Sequence, residues 1–112
     1  MPLTELTEFD FYPRLARSAG VSLVIFSGPD CGSCKRLESV LPALVGTHVA
    51  QLYKVDVQTS TALARAFEIF HLPSLFLFVD GQFHAPLHAE PAPGIFAAAI
   101  VHALHAPAHE EP

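Results

Sequence analysis

The chain has 112 residues, of which 51% are hydrophobic and 15% charged, a balance that gives one globular domain with a sizeable core and excludes both a disordered chain and a pair of domains. A formal charge of −5, with Lys and Arg totalling 6, leaves no basic patch and excludes nucleic acid as a partner. No apolar run approaches the roughly 18 residues of a membrane span, and Pro2, Glu5, Glu8 and Asp10 do not form the basic and apolar regions of an export signal, so a soluble, cytoplasmic protein with no membrane partner is expected.

Taken in order, Asp10 is placed to cap a helix with Pro13 in its first turn, Tyr12, Leu15, Ala16 and Ala19 along one face, and Gly20 at its end. Val21 to Ser27 is apolar on both faces, as a central strand covered by helices on each side would be. Gly28-Pro29 turns the chain into a second helix, on which Leu37, Val40, Leu41 and Leu44 recur at i, i+3, i+4 and i+7. Pro42 should kink this helix and Gly46 should end it.

Val49 to Val57 reads as the next strand, parallel to the first because a helix connects the two. Thr59 or Ser60 can cap a short helix whose face is Leu63, Ala66, Phe67 and Phe70. Ser74 to Val79 is a strand, Asp80-Gly81 a hairpin turn, and Gln82 to Leu87 the antiparallel return. Glu90-Pro91-Ala92-Pro93-Gly94 opens a last helix with Phe96, Ala99, Ile100, Ala103 and Leu104 on one face. Beyond a domain of residues 1–105, the polar, Pro-rich stretch 106–112 is expected to be a flexible tail. A helix followed by β-α-β-α-β-β-α is an α/β chain: a three-layer α/β/α sandwich with a central mixed sheet of about four strands.

The only two cysteines, Cys31 and Cys34, stand where the first central strand gives way to the second helix. Unpaired N–H groups and the positive end of the macrodipole favour an anion there, so Cys31 should ionise more readily than a free cysteine. Cys34 lies one helical turn on, placed to attack a mixed disulfide formed at Cys31 and close the Cys31–Cys34 disulfide while the partner leaves reduced. A zinc site would need two further ligands. A purely structural disulfide would close a very small loop, where chain-entropy stabilisation is least. Dithiol–disulfide exchange is the reading that uses both the spacing and the strand-to-helix position.

From Val21 to about Leu104 the chain resembles the thioredoxin family. The resemblance rests on Cys31-Gly32-Ser33-Cys34 followed by Lys35, on Leu72-Pro73-Ser74, and on the hairpin Phe76-Leu77-Phe78-Val79-Asp80-Gly81. It implies the thioredoxin fold and a cis proline at Pro73 beside the cysteines. It also implies a substrate groove that includes Leu72 and Pro73 and is bordered by His71. Asp30 stands where the family commonly has Trp, and Gly32-Ser33 where it commonly has Gly-Pro. Asp30 opposes thiolate formation at Cys31, while the helix start and Lys35 favour it. The family's buried carboxylate falls at Ile25, the lysine that accompanies it matches Lys54, and the glycine after the hairpin falls near Ala89.

Seven histidines invite a metal. Yet His84 and His88, on a strand, would stand about 13 Å apart, and His102 and His105 read as a solvated helix face, so no metal site is expected. The function expected is a protein dithiol–disulfide oxidoreductase with Cys31 as nucleophile and Cys34 as resolving thiol. Asp30, Gly32, Ser33, Lys54 and Pro73 would support the site, and His71, Leu72 and Pro73 would meet the substrate. No cofactor is required; a separate reductase or another dithiol would supply electrons, and the protein would act as a monomer in cell redox homeostasis. The competing class is a non-enzymatic binding or chaperone-like module, or a redox sensor, on the same scaffold.

Overall fold

The computed structural model describes all 112 residues. The elements run β1 (Leu3–Leu6), α1 (Phe11–Ala16), β2 (Val21–Ser27), α2 (Gly32–Val45), β3 (Gln51–Asp56), α3 (Thr61–Ala66), β4 (Ser74–Val79), β5 (Gln82–Leu87) and α4 (Pro93–His105). One five-stranded sheet has the order β1-β3-β2-β4-β5. Strand β3 lies parallel to β2 and β1, while β4 is antiparallel to β2 and to β5. The sheet thus has one strand more than the pattern predicts. Leu3–Leu6 escapes because it is four residues long, buries only Leu6, and finds its partner some fifty residues away on β3.

Alternation along β2 divides the core. Leu23 and Ile25 face α2 and α4, joining Leu37, Leu41, Phe96 and Ile100, whereas Val24 and Phe26 face the other side, joining Phe11, Leu15, Phe67 and Phe76. The second layer is aromatic: Phe67 stands 5.6 Å from Phe11 and 5.2 Å from Phe76 in edge-on geometry. Such pairs add about 0.5–1.5 kcal/mol each beyond the area they bury.

Both short helices are capped differently from expectation. Asp10 does not cap α1; its Oδ1 accepts from the Thr7 N–H at 2.6 Å and from Thr7 Oγ1 at 3.2 Å, closing the loop before the helix. The buried face of α1 is Phe11 and Leu15, with Tyr12 exposed, and the helix ends at Ala16 rather than Gly20. Ser60 stands at the N-cap of α3, yet its hydroxyl accepts from the Glu8 N–H. Glu8 Oε2 in turn accepts from the Ala62 N–H at 3.2 Å, so the first turn of α3 is capped from a loop 54 residues away. Phe70 is 83% exposed, because α3 stops at Ala66 and Glu68 turns to φ +53°, which breaks the periodicity that placed it on the buried face.

The Asp80-Gly81 turn has positive φ at both residues, as a tight hairpin requires. A Cβ on Gly81 would stand 2.6 Å from the Leu15 carbonyl oxygen, so only glycine fits between the hairpin and the end of α1. In β5 the pairing shifts between Leu77/Ala85 and Phe78/Phe83, which makes His84 a bulge residue; its Nε2 meets the Ala103 carbonyl oxygen at 2.7 Å, and His88 lies past the strand. Residues 106–112 form no helix or strand, but they return to the fold. The His109 N–H donates to the His84 carbonyl at 2.6 Å, and the Tyr12 hydroxyl donates to Glu111 Oε2 at 3.1 Å.

That last contact has a pH signature. Partial burial of the hydroxyl, then the negative charge of Glu111 and the hydrogen bond to it, push the half-exposed Tyr12 from its ordinary 10.0 up to about 12. The folded form therefore keeps a proton that the unfolded chain releases near pH 10. Its contribution is complete below pH 10 and is lost as the pH rises toward 12. Urea unfolding of wild type and Tyr12→Phe between pH 9 and 12 should show the wild type losing its margin over the variant through that window; a constant margin would refute the linkage.

Candidate active site

The site is built where β2 hands the chain to α2. Cys31 is the N-cap of α2 in extended conformation, and its Sγ accepts the Cys34 N–H at 3.1 Å, so the sulfur satisfies a backbone donor that the helix start leaves free. Cys31 and Cys34 are disulfide-bonded, with Cα atoms 5.2 Å apart. Ser33 Oγ lies 3.4 Å from Cys31 Sγ. Cys31 is half-buried, and Cys34 is buried completely behind it.

The Leu72–Pro73 bond is cis, and Ser74 Oγ donates to the His71 carbonyl at 2.6 Å, bracing the loop that carries the proline. A Cβ on Gly28 would stand 3.2 Å from Leu72 Cδ1; the missing side chain lets Leu72 pack against the loop that leads into Cys31. Beside this corner runs an open groove of about 680 Å³. Ser33, Arg36, Leu37 and Val40 of α2 make one wall, Pro73 and Leu75 enter from β4, and Leu87, His88 and Ala89 come from the end of β5.

Of the residues singled out from sequence, Cys31, Gly32, Ser33, Cys34, Leu72 and Pro73 come together here. Asp30 is exposed just before Cys31, and His71 is exposed and does not line the groove. Lys54 does not line the groove. Its Nζ pairs with Glu38 Oε1 at 3.1 Å, and Glu38 Oε2 accepts from Ser27 Oγ at 3.0 Å. These three line a separate polar cavity of about 130 Å³ with Asp56 and Lys35. At the position of the family's buried carboxylate, Ile25 is buried completely in the apolar layer.

Arg36, Val40 and His88 are groove residues that the sequence reading did not pick out. The first two were within reach, since Ser33, Arg36, Leu37 and Val40 lie at i, i+3, i+4 and i+7 on one helix face. No three His, Cys, Asp or Glu side chains are grouped to hold a metal ion, and no helix is long and apolar enough to cross a membrane.

Known proteins resemble this chain in sequence and in fold. The family model described as Thioredoxin matches residues 2–99. The thioredoxins of Staphylococcus epidermidis and Staphylococcus aureus are each 33% identical to this chain over 84 residues, covering 73% of it and 79% of the relative. Among solved structures, Chlamydomonas reinhardtii thioredoxin f2 superposes with a TM-score of 0.65 at 24% identity, over 77% of this chain and 82% of that one. Human ERp44 in its zinc-bound form superposes with a TM-score of 0.74 at 19% identity, over 90% of this chain and 31% of that one. The two structures speak to the fold, which is the thioredoxin fold. The matching family model and the one-third identity over most of the length of two thioredoxins, with a Cys-x-x-Cys disulfide at the strand-to-helix junction, place the chain in the thioredoxin family as a protein disulfide oxidoreductase.

Proposed function

We propose that the protein reduces disulfides in other cytoplasmic proteins, acting as a monomer in cell redox homeostasis and drawing electrons from a separate reductase or another dithiol. The observation that carries this reading is the asymmetry of the pair: Cys31 half-exposed on the helix N-cap, Cys34 fully buried behind it. In the reduced protein the Cys31 thiolate attacks one sulfur of a substrate disulfide. A Cys31 mixed disulfide forms and the first substrate thiolate leaves. Cys34, once deprotonated, attacks Cys31 Sγ, which forms the Cys31–Cys34 disulfide and releases the second substrate thiolate. Two electrons have then passed from the pair to the substrate, and no cofactor takes part.

Ser33, 3.4 Å from Cys31 Sγ, supplies a hydroxyl to the attacking sulfur. Asp30 and Gly32 flank that sulfur in sequence, the former holding negative charge at the rim. The backbone before cis Pro73 pairs with an extended substrate segment, with Leu72 against it and His71 at its border. Lys54, tied to Glu38, supports the base of α2 rather than the sulfurs. The catalytic unit is residues 1–105, with 106–112 as an appended tail.

The test is insulin reduction with dithiothreitol as electron source. Wild type should shorten the lag before the insulin B chain precipitates, and Cys31→Ser should behave as buffer. Equal lags for wild type and Cys31→Ser would overturn the proposal.

A further inference from the structure

The opening of α2 holds no acidic residue, and two cations, Lys35 and Arg36, follow Cys34 directly. A helix start favours the opposite charge, so this arrangement works against local stability. Local rules are broken in this way most often where function asks for it. Arg36 is also uncommitted: the one salt bridge in the structure joins Lys54 to Glu38. Its Nη1 lies 3.3 Å from the point where a Cβ on Gly32 would stand, so the guanidinium folds back over the residue between the cysteines while lining the groove.

The rest of the groove decides what that cation can meet. Leu37, Val40, Pro73, Leu75 and Leu87 make the lining apolar; His88, from the end of β5, joins Ser33 and Arg36 as a third polar residue, and no acidic residue lines the groove at all. The acids nearest in sequence, Glu38, Asp30 and Glu90, all lie outside it: Glu38 is half-buried and paired with Lys54, and the other two are exposed. A chain of net charge −5 has therefore kept an acid-free, Arg-bearing apolar trough beside its disulfide. Guanidinium is the side-chain cation best shaped to take a carboxylate.

Resting on the oxidoreductase reading, we propose that Arg36, aided by His88, selects disulfide substrates whose polypeptide carries an acidic side chain next to an apolar one close to the target cysteine. The apolar side chain occupies the trough and the carboxylate meets Arg36 at its rim. Arg36 is a specificity residue; it takes no part in bond exchange.

The experiment uses the reduced full chain and disulfide-linked peptides that differ at one residue. Each peptide has Leu beside its cysteine and Glu, Gln or Lys two residues away, on either side in separate sets, and the second-order rate of reduction is measured at 20 mM and 500 mM NaCl. In one of the sets the Glu peptide should react about tenfold faster than the Lys peptide at low salt, attraction and repulsion each contributing about threefold, and the ratio should shrink toward one at high salt. Arg36→Glu should invert the order of Glu and Lys peptides, and Arg36→Lys should keep it in weakened form. Rates for Glu, Gln and Lys peptides within about twofold of one another in wild type, or an order unchanged by Arg36→Glu, would overturn the selection while leaving the oxidoreductase reading intact. Failure to reduce any peptide, with both thiols shown to be free, would overturn that reading and this proposal together.

Discussion

Replacing Cys34 with serine should convert turnover into capture. Cys31 stands half-exposed at the helix N-cap and keeps its access to a substrate disulfide, whereas the only group placed to displace the substrate is the buried sulfur one turn on. Without it, an external thiol must find the mixed disulfide by diffusion, and the advantage of an intramolecular attack is forfeited. Multiple-turnover reduction should fall by about 10²-fold or more. A covalent complex of the Cys34→Ser protein with a peptide thiol should accumulate and be visible by intact mass under non-reducing conditions, disappearing on excess dithiothreitol. Cys31→Ser should form none. A stable adduct on Cys31→Ser instead, at Cys34, would reverse the assigned roles. The substitution exchanges one small buried side chain for another in the first turn of α2, so a far-ultraviolet spectrum and a urea midpoint near wild type are expected alongside the kinetic loss.

The parts of the fold legible in the sequence are those set by nearby residues. The two-sided apolar run of β2, the i, i+3, i+4, i+7 face of α2 and the Asp80-Gly81 turn all carry their structural reason within a few positions, and each element stands where the pattern put it. What escaped was set by distant partners. Leu3–Leu6 is a strand only because β3 offers it a parallel edge, and α3 takes its cap from Glu8 rather than from its own Ser60. Phe70 fits a buried helix face by periodicity, which does not reveal that α3 ends at Ala66. The site divides in the same way. Cys31 and Cys34 are marked by spacing and by the strand-to-helix junction, but the groove joins α2 to residues 73–75 and 87–91, a meeting of three separate stretches that no local pattern encodes. Lys54 is marked by likeness, but the partner that takes its charge, Glu38 of α2, is found only in the folded chain.

Ile25→Asp should trade stability for faster release of substrate. Ile25 is buried completely among Leu23, Leu37, Leu41 and Leu75, so a carboxylate there enters an apolar layer. Its register partner on β3 is Lys54, whose ammonium is already held by Glu38 at 3.1 Å. The introduced charge would thus be poorly compensated and should cost about 3–5 kcal/mol in urea unfolding. Adding Glu38→Gln frees Lys54 for the new carboxylate. In the Ile25→Asp background that second change should recover about 1–2 kcal/mol, although alone it removes an ion pair and costs up to about 1 kcal/mol. Additivity of the two within about 0.5 kcal/mol would show that Lys54 does not reach the new group. The kinetic consequence follows from the burial of Cys34, which must lose a proton to attack, and from the likeness that matches Ile25 to the family's buried carboxylate. A carboxylate there should speed decay of a preformed Cys31 mixed disulfide by about tenfold, a modest share of what a positioned base can supply. Stopped-flow decay of the peptide adduct, run below the urea concentration at which the variant unfolds, measures this; a folded variant that decays no faster than wild type would refute the view that proton removal from Cys34 limits release.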